Sequence, residues 1–205
     1  MYKFWLPVSL AVLTVACTKQ PESATVPTSS SPSPVANQPI DQTLLINQSK
    51  EAVQMLGGQL QQTLAEVLKS SGTVQAITVC HTQAPAMAKA VSDEKGLQIS
   101  RVSLKNRNPT MGTPNDWQTS VLHTFEQRKA NGEEASQLVY AELVGNEFRF
   151  MKAIPTAQVC LQCHGGDLKP EVLGKLKELY PADKATGFKE GDLRGAFVVV
   201  KNLSQ

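Results

Sequence analysis

The sequence predicts an α+β fold in which helices come first and an antiparallel sheet follows. Three observations carry this expectation. Apolar residues recur every three or four positions between Leu45 and Val91, the period of amphipathic helices. Two runs rich in β-forming residues, Leu138 to Val144 and Glu147 to Ile154, flank Gly145-Asn146, a connector that accepts the positive φ of a hairpin turn. A further strong strand, Gly195 to Val200, lies near the end of the chain.

Taken in order, Met1 to Ala16 reads as a signal peptide, with Lys3 followed by an apolar run from Phe4 to Val15 that is short for a membrane span. Leu13-Thr14-Val15-Ala16-Cys17 is similar to the lipobox of bacterial lipoproteins, although Thr14 departs from the usual aliphatic residue. Cys17 is the expected lipidation site, and an ordinary cleaved signal is the alternative. Residues 17–40, rich in Ser, Pro and Thr, carry almost nothing to bury and are expected to form a disordered linker behind the lipidated cysteine. Residues 41–205 are then one folded domain, a suitable size for a single core.

A helix is expected from Asp41 through Leu45, Val53, Leu56, Leu60, Leu64 and Val67 or Leu68, ending at Ser70-Ser71-Gly72. A second carries Val74, Ile77, Cys80, Ala84, Met87 or Ala88 and Val91 on one face and stops at Gly96, so Cys80 is expected to face the core. Leu97 to Ser103 has the character of a half-buried strand whose alternation slips at Arg101. A polar loop through Asn106, Asn108, Pro109 and Gly112 follows. Thr113-Pro114 is expected to cap and open a helix through Trp117, Val121, Leu122 and Phe125 that Asn131-Gly132 ends. Beyond the hairpin come a short amphipathic helix near Pro170 to Leu179, a turn-rich segment from Tyr180 to Asp192, and the last strand.

Charge excludes one class of partner. A formal charge of +2 and a pI near 8.3, without a basic run interleaved with aromatics, do not suit a nucleic-acid binder. The four cysteines are Cys17, Cys80, Cys160 and Cys163. Cys160-Leu161-Gln162-Cys163-His164 spells the attachment site of c-type haem: two thiols bond the porphyrin vinyl groups and the adjoining imidazole reaches the iron. A zinc ribbon would need a second ligand pair that the chain lacks. A thioredoxin-like pair does not require the histidine, and a disulfide would close a very small loop. One covalent haem c, with His164 as an axial ligand, is therefore expected.

Cys80 has no partner left, which is unusual for an exported chain. As the sixth iron ligand it competes with His81, His123 and the methionines Met55, Met87, Met111 and Met151. Neighbours on a helix point about 100° apart, and the apolar stripe favours Cys80 over His81. His123 reads as a boundary histidine and the methionines as packing residues.

Five stretches now carry a resemblance: Val79-Cys80-His81-Thr82-Gln83-Ala84-Pro85, Arg101 to Pro109, Asn115-Asp116-Trp117, Cys160 to Gly165, and Gly187 to Ala196. In this order they resemble the periplasmic c-type-haem domain family with a PAS-like fold, found alone in bacteria and as the sensing region of some histidine kinases. The resemblance spans residues 41–203. It implies a PAS-like antiparallel sheet with N-terminal helices and an axial pair formed by His164 and Cys80. His81, beside Cys80 on the helix, is the alternative ligand when the iron is reduced. Arg101, Lys105, Arg107 and Asn108 are either partners of the haem propionates or part of a structural loop held by Asn108-Pro109, with Arg194 as a further propionate candidate. Trp117 is expected either to pack on the porphyrin or to anchor its helix.

Two functions follow. One is a membrane-tethered electron carrier or redox-active haem protein on the periplasmic side, lipid-anchored and serving a redox partner protein. The alternative is a haem-based redox or gas sensor that signals through a partner. Catalysis ranks below both, because no acid, base or nucleophile constellation accompanies the motif.

Overall fold

The structure is a computed structural model that describes residues 41–203. The expected signal peptide, Cys17 and the linker over 17–40 lie outside the described residues. Within them the elements run α1 (Gln42–Lys95), β1 (Gln98–Val102), α2 (Pro109–Gly112), α3 (Asp116–Ala130), β2 (Val139–Val144), β3 (Glu147–Pro155), α4 (Leu161–His164), α5 (Pro170–Leu179) and β4 (Leu193–Asn202). Among them no helix is long and apolar enough to cross a membrane.

Helix α1 begins where the sequence indicates. Asp41 caps it, accepting from the backbone N–H groups of Thr43 and Leu44 at 2.9 and 3.1 Å. Its 54 residues are not one rod, because Gly72 has φ 78° and ψ −178°, outside the helical region. The chain folds back at this glycine. Lys95 Nζ lies 3.8 Å from Glu51 Oε2, whereas a straight helix would hold the two residues ~66 Å apart. The two limbs thus form an antiparallel helical hairpin with Gly72 at its tip.

The sheet is antiparallel throughout, in the order β1-β4-β3-β2, so the last strand lies between the first and the hairpin. Its two faces are covered differently. Ile99, Phe148, Phe150 and Val199 pack under the hairpin of α1 with Leu45, Ala52, Val53, Leu56 and Val91. Val102, Met151, Ala153, Ala196 and Val198 pack with Val121, Leu122 and Phe125 of α3. Phe148 and Phe150 are essentially inaccessible, each contributing about 1.5–3 kcal/mol through burial. A smaller cluster joins Ile77, near the hairpin tip, to Val172 and Leu176 of α5. This cluster holds the tip of α1 against the segment that carries α4.

Local differences from expectation have physical causes. The cap of α3 is Asn115 rather than Thr113: Asn115 Oδ1 accepts from Gln118 N while Gln118 Oε1 accepts from Asn115 N, a capping box. The Thr113 hydroxyl instead donates to Pro109 O at 2.7 Å and closes α2, a turn that the polar composition concealed. Strand β4 starts at Leu193, two residues early, through Gly195. A Cβ at Gly195 would lie 2.3 Å from Val102 O, and its φ of 154° suits glycine, so only this residue lets β4 pass so close to β1.

Candidate functional site

The second limb of α1 buries Ala76, Ile77, Ala84 and Val91. Cys80, expected inside, is exposed. Near the tip, Ile77 packs on Val172 and Leu176 of α5, and that contact leaves Cys80, three residues on, uncovered. Protein nevertheless surrounds the thiol on most sides: burial pushes Cys80 above the usual thiol range, and the Arg101 and Arg107 guanidinium groups pull it back. An exposed group with so much protein around it sits on a concave surface.

Arg101 faces the same hollow. It shares a sheet face with Ile99 and Phe197, its cross-strand partner, yet it is exposed where alternation calls for burial. The slip in the sequence pattern therefore marks where one face of the strand opens to the site, while Val102 on the other face stays in the core. Crowding lowers the Arg101 pKa, while the charges of Cys80 and Tyr180 oppose that shift.

The Cys160–His164 stretch folds as a short 3₁₀ turn, Gln158–Cys160, running into α4. Helical geometry puts residues three and four apart on one side, so the side chains of Cys160, Cys163 and His164 group together. Both thiols are free and partly buried. Burial raises the Cys163 thiol, which Arg107 draws down and Cys80 raises further; Cys163 packs against the cluster of Ile77, Val172 and Leu176, one turn of α1 from Cys80.

The turn is fastened on its outer side. Arg107 pairs with Asp183 at 3.1 Å, with both side chains nearly buried, and donates to the carbonyls of Cys163 and Ala185. Asp183 Oδ1 accepts from Ala185 N. Phe188 N donates to His164 O and Gly187 N to Gly165 O, both at 2.9 Å. Residues 183–188 thus form a strap laced to α4 through one arginine.

His164 is fixed by the same strap. Its Nδ1 lies 2.7 Å from Ala185 O. A carbonyl only accepts, so Nδ1 carries the proton and Nε2 keeps its lone pair. Burial, then the charges of Arg194 and Arg107, hold the imidazole neutral down to about 2, against the modest opposing effect of the Ala185 hydrogen bond. Phe188 stands edge-on to this ring at 6.2 Å and carries Lys105 and Arg194 over its own face, at 4.5 and 5.3 Å. Burial lowers the Arg194 pKa to about 10, helped by Arg107 and Arg101. Neither Arg101 nor Arg194 has a carboxylate within ion-pairing distance among the described residues.

Tyr180, which the sequence gave no reason to single out, borders the hollow at the end of α5. Burial raises its hydroxyl pKa, with Arg107, Cys80 and Arg101 acting on it in turn. Its ring meets His81 edge-on at 5.0 Å. His81 Nδ1 is buried without a hydrogen-bond partner.

Three expected site residues lie elsewhere or are already engaged. Asn108 caps α2, accepting from Thr110 N at 3.1 Å. Arg107 is committed to the strap. Trp117 stacks on Tyr140 with Arg149 over its ring at 5.1 Å, beside the core under α3. His123 contacts Glu126 at the surface, and Met151 is a core residue. Among the described residues no three His, Cys, Asp or Glu side chains gather to hold a bare metal ion.

No curated protein matches the chain significantly. A solved structure does: the crystal structure of the cyanobacterial heme-protein Tll0287, with 25% identity and a TM-score of 0.57 over 80% of this chain and 95% of that one. The sequence profile of the family described as Tll0287-like matches residues 33–201, and the chain belongs to that family.

Proposed function

We propose that the chain carries one haem, bound covalently as haem c, and acts as a membrane-tethered redox protein on the periplasmic side of a bacterial membrane. One observation carries the reading: His164 Nδ1 is spent on the Ala185 carbonyl, leaving a neutral Nε2 lone pair beside two free thiols. Metal-binding histidines are oriented in this way. The likeness to a heme-protein of known structure supports it.

The other residues fit the same group. Cys160 and Cys163 would offer the thioether bonds, and Cys80, as a thiolate, would join His164 in holding the iron. Arg101 and Arg194, crowded together without carboxylates, suit the two propionates better than Arg107 and Asn108, which are already engaged. Leu60, Leu64, Val67 and Leu68 near the hairpin tip are apolar but only half-buried, a surface suited to a porphyrin face. The haem, when bound, supplies a one-electron iron couple. Cys80 as thiolate favours the ferric state, and the neighbouring guanidinium groups favour the added electron. Held by His164 and Cys80, such a group would exchange single electrons with a redox partner protein. The signal-like start and Cys17 support the lipid anchor.

The test is haem retention. Protein matured in a host that attaches c-type haem should keep one haem per chain through acidic solvent extraction, and Cys160→Ser with Cys163→Ser should lose it. Release of haem from the wild type overturns the covalent reading. Cys17→Ser should move the protein from the membrane to the soluble fraction.

A sensing role is favoured by one observation, the exposure of Cys80, which leaves that ligand open to displacement. Spectral change on adding nitric oxide or carbon monoxide at low concentration supports sensing; indifference to both gases supports electron transfer.

A further inference from the structure

A groove of about 300 Å³ lies between residues 187–193 and the last turns of α3, lined by Lys105, Glu126, Lys129, Phe188 and Asp192. That volume is at the small end of the range for ligand sites. Lys105, Glu126, Phe188 and Leu193 also line a deeper recess of about 50 Å³, whose wall continues through Leu104, Leu122 and Gly195. Cys80, Arg101, Cys163 and Arg194 line neither space. Four charges stand around the groove, two of each sign, and each is only partly engaged. Lys105 Nζ donates to Thr186 O and lies over the Phe188 ring, which leaves an ammonium with donors to spare. Lys129 Nζ is 3.9 Å from Asp192 Oδ1, the long limit of an ion pair, while Asp192 Oδ2 accepts from Lys189 N. Glu126 engages its Oε2 with His123. The carboxyl end of α3 adds partial negative charge beside Ala130. A balanced rim selects neither a plain anion nor a plain cation. It suits a molecule that carries both charges a short distance apart, and the recess among Leu104, Leu122 and Leu193 takes a small uncharged side chain.

We propose that this groove binds a small α-amino acid, with the carboxylate between Lys105 and Lys129, the ammonium on Glu126 and the side chain in the recess. The site communicates with His164 through Phe188. That residue lines the groove, meets the imidazole edge-on at 6.2 Å, and donates its backbone N–H to His164 O at 2.9 Å. An occupant resting on Phe188 therefore bears on the segment that holds His164. Nothing in this site requires haem, so it stands or falls apart from the haem reading.

Isothermal titration of the full chain with glycine, L-alanine and L-serine should give saturable binding. Acetate and ethylamine, which carry one charge each, should bind about tenfold more weakly than L-alanine or less. Lys129→Gln and Glu126→Gln should each weaken L-alanine about tenfold while leaving the circular dichroism spectrum unchanged. Absence of saturable binding by all three amino acids overturns the proposal. So does acetate binding equal to that of L-alanine, which reduces the groove to a patch for plain anions, and so does unchanged L-alanine affinity in both variants. L-Tryptophan, too large for the recess, should bind about tenfold more weakly than L-alanine; equal binding overturns the placement of the side chain. The amide NMR signals of Phe188 and His164 should shift as L-alanine is added, and binding that leaves both fixed overturns the communication with His164.

Discussion

The two sides of the candidate site are built to opposite specifications. On the His164 side the fastening is dense: Arg107 ties Asp183 to α4, Ala185 O holds the imidazole, and Phe188 backs it with two cations over its face. On the Cys80 side the thiol is exposed, His81 Nδ1 has no partner, and a proline interrupts the helix. His164 is held by a laced strap of long-range contacts, whereas Cys80 stands on a helical limb that leaves its thiol uncovered. The contrast teaches that one cluster of residues can be rigid on one side and open on the other.

The largest effect should come from cutting the lacing. Arg107→Ala leaves Asp183 buried without its cation, and removing one partner of a buried pair costs about 3–5 kcal/mol. Urea unfolding should show that loss, together with a broadened ferric spectrum as His164 gains freedom. A loss below ~1 kcal/mol would mean that the strap does not depend on this ion pair.

Acid should separate the two sides next. Folded His164 stays neutral to about 2, whereas an unfolded imidazole takes a proton near 6.5. The stability this group contributes is therefore complete above that unfolded value and is lost as the pH falls toward the folded one. In protein lacking haem, unfolding free energy should drop by about 1 kcal/mol between pH 6 and pH 5, and His164→Gln should remove that slope. In the holoprotein the Cys80 thiol, whose pKa burial raises, should take up a proton and leave the iron at a higher pH than His164 does. Simultaneous loss of both ligands in a spectral titration would erase the distinction between the walls.

The smallest effect should come from Trp117. Its contacts are Tyr140 and Arg149, so Trp117→Phe should cost about 0.5–1 kcal/mol through the lost cation–π contact and leave the haem spectrum untouched. A shifted spectrum would bring α3 into the site.

Much of this architecture is legible from local chemistry. Asp41 announces a helix start, Gly72 the fold-back and Gly145-Asn146 a hairpin, because each acts within a few residues of itself. The attachment motif is equally local. Cys80 shows where periodicity stops helping: it lies on the stripe, but whether a stripe is covered depends on where the partner layer ends. The slip at Arg101 was visible, and only the fold explains it. Asp183 and Ala185 left no signal at all, since their roles depend on Arg107 arriving from a distant loop. Phe188 lay within a stretch that carried the family resemblance, although its contact with His164 could not be read from spacing.

The placement of β4 has a temporal consequence. The central strand of the sheet is the last one in the chain, so β1 and β3 cannot be joined until Leu193–Asn202 is available. Such pairings, distant in sequence, are the late and slow steps of folding. As the chain emerges from its amino end, the turn at Cys160–His164 precedes both the strap and Arg194. For that interval its two thiols and imidazole have no outer wall, and the domain completes that wall only after Cys160–His164 has been displayed.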